Sequence, residues 1–137
     1  MPAPPPTHRS DLSGLTLLVV EDDAATREAL TTYLRACGAG ASTAHTASGL
    51  LVYIDAAPRL DAVVTDISMP GMDGVEFVRA IRRHPWPLRQ NVPVVAVTGR
   101  DAEEFPAQEF DAYLRKPVDP DDVCRAIELS IARRRKA

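Results

Sequence analysis

Ala62-Val63-Val64-Thr65-Asp66-Ile67-Ser68-Met69-Pro70-Gly71-Met72-Asp73-Gly74 is the stretch on which the fold turns. A short apolar, β-branched run enters it and stops on a carboxylate, Asp66. The Pro and Gly residues behind that carboxylate specify a loop. A buried strand that ends on an acid, with a loop after it, puts the acid at the mouth of a sheet. In open α/β sheets, that edge is where ligands bind. Asp66 is therefore the first candidate for chemistry.

Upstream, Leu15-Thr16-Leu17-Leu18-Val19-Val20 repeats the pattern and ends in Glu21-Asp22-Asp23. The run reads as a buried parallel strand. Ala24 to Cys37 follows as a helix, with Ala25, Ala29, Leu30, Tyr33, Leu34 and Cys37 at spacings of three and four. Asp23 is its expected N-cap, and Gly38 and Gly40 end it. Ala41 to Thr46 reads as a weak edge strand, Ala47 to Ala56 as a helix with Leu50, Leu51 and Ile54 inward, and Leu60 to Thr65 as the strand that reaches Asp66. Pro58 is the expected stop of that helix. Downstream, Asp73 is placed to cap a helix from Gly74 or Val75 to Arg83, with Val75, Phe77, Val78 and Ile81 apolar. His84 to Asn91 reads as a proline-set loop, Val92 to Val97 as the fourth strand and Phe110 to Leu114 as the fifth. The interval between them, Asp101 to Glu109, is acidic, carries Pro106 and has room for a turn or two of helix. Asp119 or Asp121 caps a last helix to about Arg134, with Val123, Cys124, Ile127 and Ile131 inward. Strands alternating with helices predict a five-stranded parallel α/β sheet with helices on both faces and right-handed crossovers.

Composition narrows the classes. At 137 residues the chain fits one domain with a core that needs no staples. A net charge of −3 gives no global argument for nucleic acid or an anionic membrane, and no apolar run approaches the length of a bilayer span. The cationic Arg133-Arg134-Arg135-Lys136 is read as a helix C-terminus that complements the dipole. Cys37 and Cys124 fall in apolar-periodic segments, which favours two reduced, buried thiols over a disulfide or a zinc site. Residues 1–13 hold four of the twelve prolines and no periodicity, so a disordered, proline-rich tail is expected ahead of a domain over 14–134, with a basic tail at 135–137. The N-terminus lacks a signal-peptide pattern, and the expected location is the cytoplasm.

Aligned parallel strands bring Glu21, Asp22, Asp66, Thr98-Gly99 and Lys116 to one edge. Clustered carboxylates repel, and a hard divalent cation such as Mg²⁺, or Mn²⁺ in its place, relieves that repulsion through oxygen ligands. Lys116 adds a point charge and Thr98 a hydroxyl donor, with space beside it at Gly99. Metal, lysine, hydroxyl and loop amides together suit a phosphoryl group, and a carboxylate facing such a group can act as nucleophile.

The motifs LLVVEDD, VVTDISMPGMDG, VPVVAVTGR and FDAYLRKPV occur in this order and spacing. Together they resemble the receiver domain of two-component response regulators, over roughly residues 14 to 134. The resemblance implies a flavodoxin-like doubly wound sheet of order 2-1-3-4-5. It implies that Asp66 accepts phosphate from a histidine kinase or a histidine phosphotransfer protein. It implies Mg²⁺ held by Glu21, Asp22, Asp66 and the carbonyl of Ser68. Lys116 would pair with the phosphoryl group beside a cis bond to Pro117, and Thr98 and Tyr113 would switch with phosphorylation. A downstream protein target and, as an option, a homodimer follow from the same likeness; nucleic acid and membrane partners do not. Thr98 to Tyr113 spans fifteen positions, fewer than receivers usually have, so the fourth helix of the family is expected to be short or missing. No effector segment is recognisable after residue 134, which is the pattern of a stand-alone receiver or of one excised from a larger protein.

Two rivals are weighed against this reading. One is a receiver-like interaction module that works without phosphorylation. The other is an aspartyl phosphatase, which wants a second acid two residues after the nucleophile; Asp66-Ile67-Ser68 lacks it. Beyond autophosphorylation and autodephosphorylation, no enzymatic activity is expected.

Overall fold

The computed structural model describes residues 11–56, 59–67, 74–99 and 110–136. Along the chain run β1 (Thr16–Val20), α1 (Ala24–Ala36), β2 (Gly40–Ala44), α2 (Ala47–Ala56), β3 (Ala62–Asp66), α3 (Gly74–Arg82), α4 (Pro87–Gln90), β4 (Val94–Thr98), β5 (Ala112–Arg115) and α5 (Pro120–Lys136). The strands form one sheet of order β2-β1-β3-β4-β5, and every pairing is parallel. This is the doubly wound arrangement expected from the sequence. Its winding reverses between β1 and β3, which is the switch point where such sheets bind ligands.

Alternation along the central strands sorts the core into two layers. Leu18, Val20, Val63, Val94 and Ala96 pack with Ile54 of α2 and with Phe77, Val78 and Ile81 of α3. Leu17, Val19, Ala62, Val64, Val95 and Val97 pack with Leu34 of α1 and with Val123, Cys124, Ile127 and Ile131 of α5. The apolar runs of β3 and β4 are buried at every position because helices cover both faces. The edge strand β2 is only partly buried.

Several expectations need correction. β1 starts one residue later than apolar character alone indicates, and β3 and β4 start two residues later and stop one later. Pro93 has no N–H to give, and the ladder uses only its carbonyl, which accepts from Val63. At the entry to β3, Asp61 spends its backbone N–H on the Thr16 carbonyl and its carboxylate on the Thr16 N–H. Asp66 and Thr98 are consequently the last residues of β3 and β4 rather than the first of their loops. His84–Asn91 is not all loop, since Pro87 opens the one-turn α4 with Trp86 as its N-cap. A proline at the first helical position sacrifices an N–H that has no partner in any case. On α1, Ala25 and Ala29 face outward, not inward. The tail boundary at residue 13 cuts too late: Leu12 is fully buried and its N–H donates to the Cys37 carbonyl. One leucine flanked by polar residues has no periodicity, yet it fills the space under the end of α1. Gly38 makes this possible, with φ +101° and its missing Cβ standing where the Ser13 hydroxyl lies. α5 also continues through Arg135 and Lys136, so these are helical and not a separate tail. The expected stop at Pro58, the Asp73 cap and the abbreviated segment 100–109 lie outside the described residues.

Candidate functional site: an acidic cluster with one lysine

The carboxyl ends of β1, β3, β4 and β5 converge as the sequence requires. The Glu21 N–H extends the β1–β2 ladder to the Ala44 carbonyl, 3.1 Å away, which holds Glu21 in register with the strand before it. Its own carbonyl accepts from Arg27 Nη1 at 2.8 Å. Asp23 caps α1 through the Thr26 N–H at 2.9 Å and the Thr26 hydroxyl at 2.5 Å. The acidic turn Glu21–Asp23 is thus pinned at both ends. Asp66 is 8% exposed and Glu21 5%, while Asp22 stands in solvent. Oxygens of all three lie within 4.8 Å of one another.

Lys116 enters from the other side. Its backbone N–H donates to the Thr98 carbonyl at 2.7 Å, and its peptide bond to Pro117 is cis. Its Nζ donates to Glu21 Oε1 and to Asp66 Oδ2, 2.9 Å each. One ammonium therefore bridges two buried carboxylates. Burial is the main force pushing the Glu21 carboxyl up to about 7, and the neighbouring Asp66 adds to it against the pull of Lys116. Burial disfavours the Lys116 charge, but the hydrogen bonds and charges of Glu21 and Asp66 outweigh it and hold the ammonium above its ordinary range.

Thr98 is fully buried, and nothing would crowd a Cβ at Gly99, so open space begins directly behind it. Tyr113 is half-buried on β5, edge-on to Phe110 with ring centroids 6.4 Å apart. Ser68 lies outside the described residues. A cleft of about 530 Å³ opens beside the cluster, walled by Glu21, Asp66, Lys116, Leu30, Val118 and Pro120. Sequence reading missed Arg27, whose signal is a cation one turn into the helix that follows the acidic pair. Between Asp119 and Asp121 it left the cap of α5 open; the Asp119 side chain takes it, accepting from the Asp121 N–H at 2.9 Å.

The model of the response regulator receiver domain matches residues 17–128. The chain belongs to this family. Among curated relatives, the receiver is 31% identical over 124 residues to the transcriptional regulatory protein FixJ of Bradyrhizobium diazoefficiens, covering 84% of this chain and 56% of FixJ. It is 36% identical over 107 residues to the response regulator MprA of Mycobacterium avium, covering 75% of this chain and 45% of MprA. It thus spans about half the length of these two regulators. A 14.6 kDa protein of Leptolyngbya boryana, 33% identical over 122 residues, is matched over 90% of its length. Among solved structures, a CheY-like receiver domain protein from Methanospirillum hungatei superposes with a TM-score of 0.78 at 27% identity, over 89% of this chain and 97% of that one. A receiver is a signalling domain of two-component systems, not an enzyme in the ordinary sense. No described helix of this receiver is long and apolar enough to cross a membrane.

Proposed function

We propose that this receiver takes a phosphoryl group onto Asp66 from the phosphohistidine of a histidine kinase or histidine phosphotransfer protein in the cytoplasm, and that the modified state changes the surface offered to a target protein. The observation that carries the reading is the Lys116 ammonium shared between Asp66 and Glu21. That arrangement supports a division of labour in which Asp66 is the nucleophile, Glu21 a metal ligand and Lys116 the counter-charge.

The donor set suits a hard divalent cation, Mg²⁺ or Mn²⁺: carboxylate oxygens of three residues within 4.8 Å of one another. Glu21, Asp22, Asp66 and the Ser68 carbonyl would hold it. When bound, it would supply charge neutralisation to the group in transit. The remaining work falls to the chain. The Asp66 carboxylate attacks phosphorus, an O–P bond forms as the N–P bond to the donor imidazole breaks, and the imidazole leaves with a proton from solvent. Lys116 follows the charge from the Asp66 carboxylate to a phosphoryl oxygen. The Thr98 hydroxyl turns toward the same group, with Gly99 leaving it room, and Tyr113 on the adjoining strand changes its exposure. Hydrolysis of the acyl phosphate by water resets the site.

The test is mass spectrometry of the intact chain after acetyl phosphate and Mg²⁺. One phosphate's mass is expected, absent without the metal and absent in Asp66→Asn. An unchanged mass under these conditions would remove the reading and leave a phosphorylation-independent interaction module in its place.

A further inference from the structure

Cys37 and Cys124 take no part in the chemistry around Asp66. They are 87 positions apart in the chain, yet their Sγ atoms are 3.6 Å apart, and both thiols are free and buried. Cys37 is the C-cap of α1, and Cys124 lies early in α5. The two meet inside the apolar layer that joins these helices to the sheet. A disulfide is about 2.05 Å long, so bonding asks for an approach of ~1.5 Å between atoms already in contact. A half-built zinc site is the other use of paired thiols. Among the described residues, however, the one group of three or more ligating side chains is that of Glu21, Asp22 and Asp66.

Buried thiols are usually inert because no oxidant reaches them. Here the two are not equivalent. Cys124 is fully enclosed, whereas Cys37 is 6% exposed at a helix terminus that turns out through Gly38. A frayed last turn of α1 exposes Cys37 without disturbing the sheet. Burial raises the Cys124 thiol well above its ordinary range, which makes it a poor first attacker. It becomes effective only against a sulfur delivered next to it.

We propose that Cys37 and Cys124 form a reversible intramolecular disulfide that clamps α1 to α5, with a low-molecular-weight disulfide as oxidant. The Cys37 thiolate attacks one sulfur of the oxidant and expels a thiolate, giving a mixed disulfide. The Cys124 thiolate then attacks the Cys37 sulfur and expels the second thiolate. The protein thiols lose two protons and two electrons, and the oxidant's S–S bond becomes two thiols. The proposal does not depend on phosphorylation of Asp66.

The experiment is incubation of the whole folded chain with oxidised glutathione, acid quench, intact mass and peptide mapping. The expected product is a monomer lighter by two hydrogens, with a Cys37–Cys124 cross-linked peptide, reversed by dithiothreitol. Its thermal midpoint should rise by roughly 5–15 °C, because the bridge closes a long loop in the unfolded chain. Cys124→Ser, checked for folding by circular dichroism, should stop at a glutathione adduct on Cys37. Two separate adducts on the wild-type chain, a disulfide-linked dimer, or reduced thiols that persist a few degrees below the midpoint would each overturn it.

Discussion

The sheet carries a charged cluster at each end, and the two are built on opposite rules. At the amino-terminal edge, Asp111 Oδ1 accepts from Arg134 Nε at 2.6 Å, and Oδ2 accepts from Arg82 Nη2 and the Val94 N–H at 2.8 Å each. Arg82 also donates to the carbonyls of Gln90 and Val92. One carboxylate meets two guanidinium groups and a backbone amide, and the cluster ties α3, α5, β4 and β5 together. At the carboxyl edge, two buried carboxylates and Asp22 face one ammonium. The first cluster is complete within the chain. The second, among the described residues, gathers three carboxylates around one ammonium. A carboxylate held by several donors serves the fold, and carboxylates gathered around one cation make a candidate binding site.

The comparison breaks most sharply under substitution. Asp66→Asn should eliminate phosphoryl uptake, while Asp111→Ala leaves the rate of uptake from acetyl phosphate within about twofold. On stability the order reverses. Asp111→Ala should lower the urea-derived unfolding free energy by about 2 kcal/mol, a figure held down because both arginines can turn toward water. Metal-free Asp66→Asn should unfold no more easily than the wild type, since it removes a repelling charge. Loss of stability in Asp66→Asn comparable to that in Asp111→Ala would erase the distinction.

A smaller effect follows from pH. Glu21 holds its proton more tightly in the fold than the ordinary 4.5, up to about 7. Its contribution to stability is therefore complete below about pH 4.5 and is lost as pH rises through about 7. Unfolding of the metal-free chain by urea should show a fall on the order of 2 kcal/mol across that window. Glu21→Gln should flatten it, and Mg²⁺ should oppose it by binding the ionised form. Smallest is Asp23→Ala, which removes a solvent-exposed cap and should lower the urea midpoint slightly while leaving the fall between about pH 4.5 and 7 in place.

The candidate site was more legible in the sequence than the cluster that opposes it. Glu21, Asp22 and Asp66 stand at the ends of apolar runs and Lys116 one residue beyond the end of another, so strand ends could be read from hydropathy and the charged residues followed. Asp111 offers no such cue. Its partners come from the last turns of two helices, and Arg134 looked like part of a dipole-complementing tail until the fold brought it beside Asp111. Leu12 and α4 were missed for a related reason. A single buried leucine and a one-turn helix are too short to show a period, and tertiary contact decides them. Ala25 and Ala29 misled because alanine suits a helix on any face.

Lys116 belongs to two systems at once. Its side chain reads the charge on Asp66, and its backbone is stitched to the end of β4 through the Thr98 carbonyl. Occupancy at Asp66 and the position of the β5–α5 connection are therefore thermodynamically conjugate. On the proposed function, any free energy that phosphorylation would spend on moving that connection would be returned by a protein gripping it, as altered affinity of Asp66 for phosphate. A target protein docking on that connection would, by that reciprocity, also be one of the receiver's inputs.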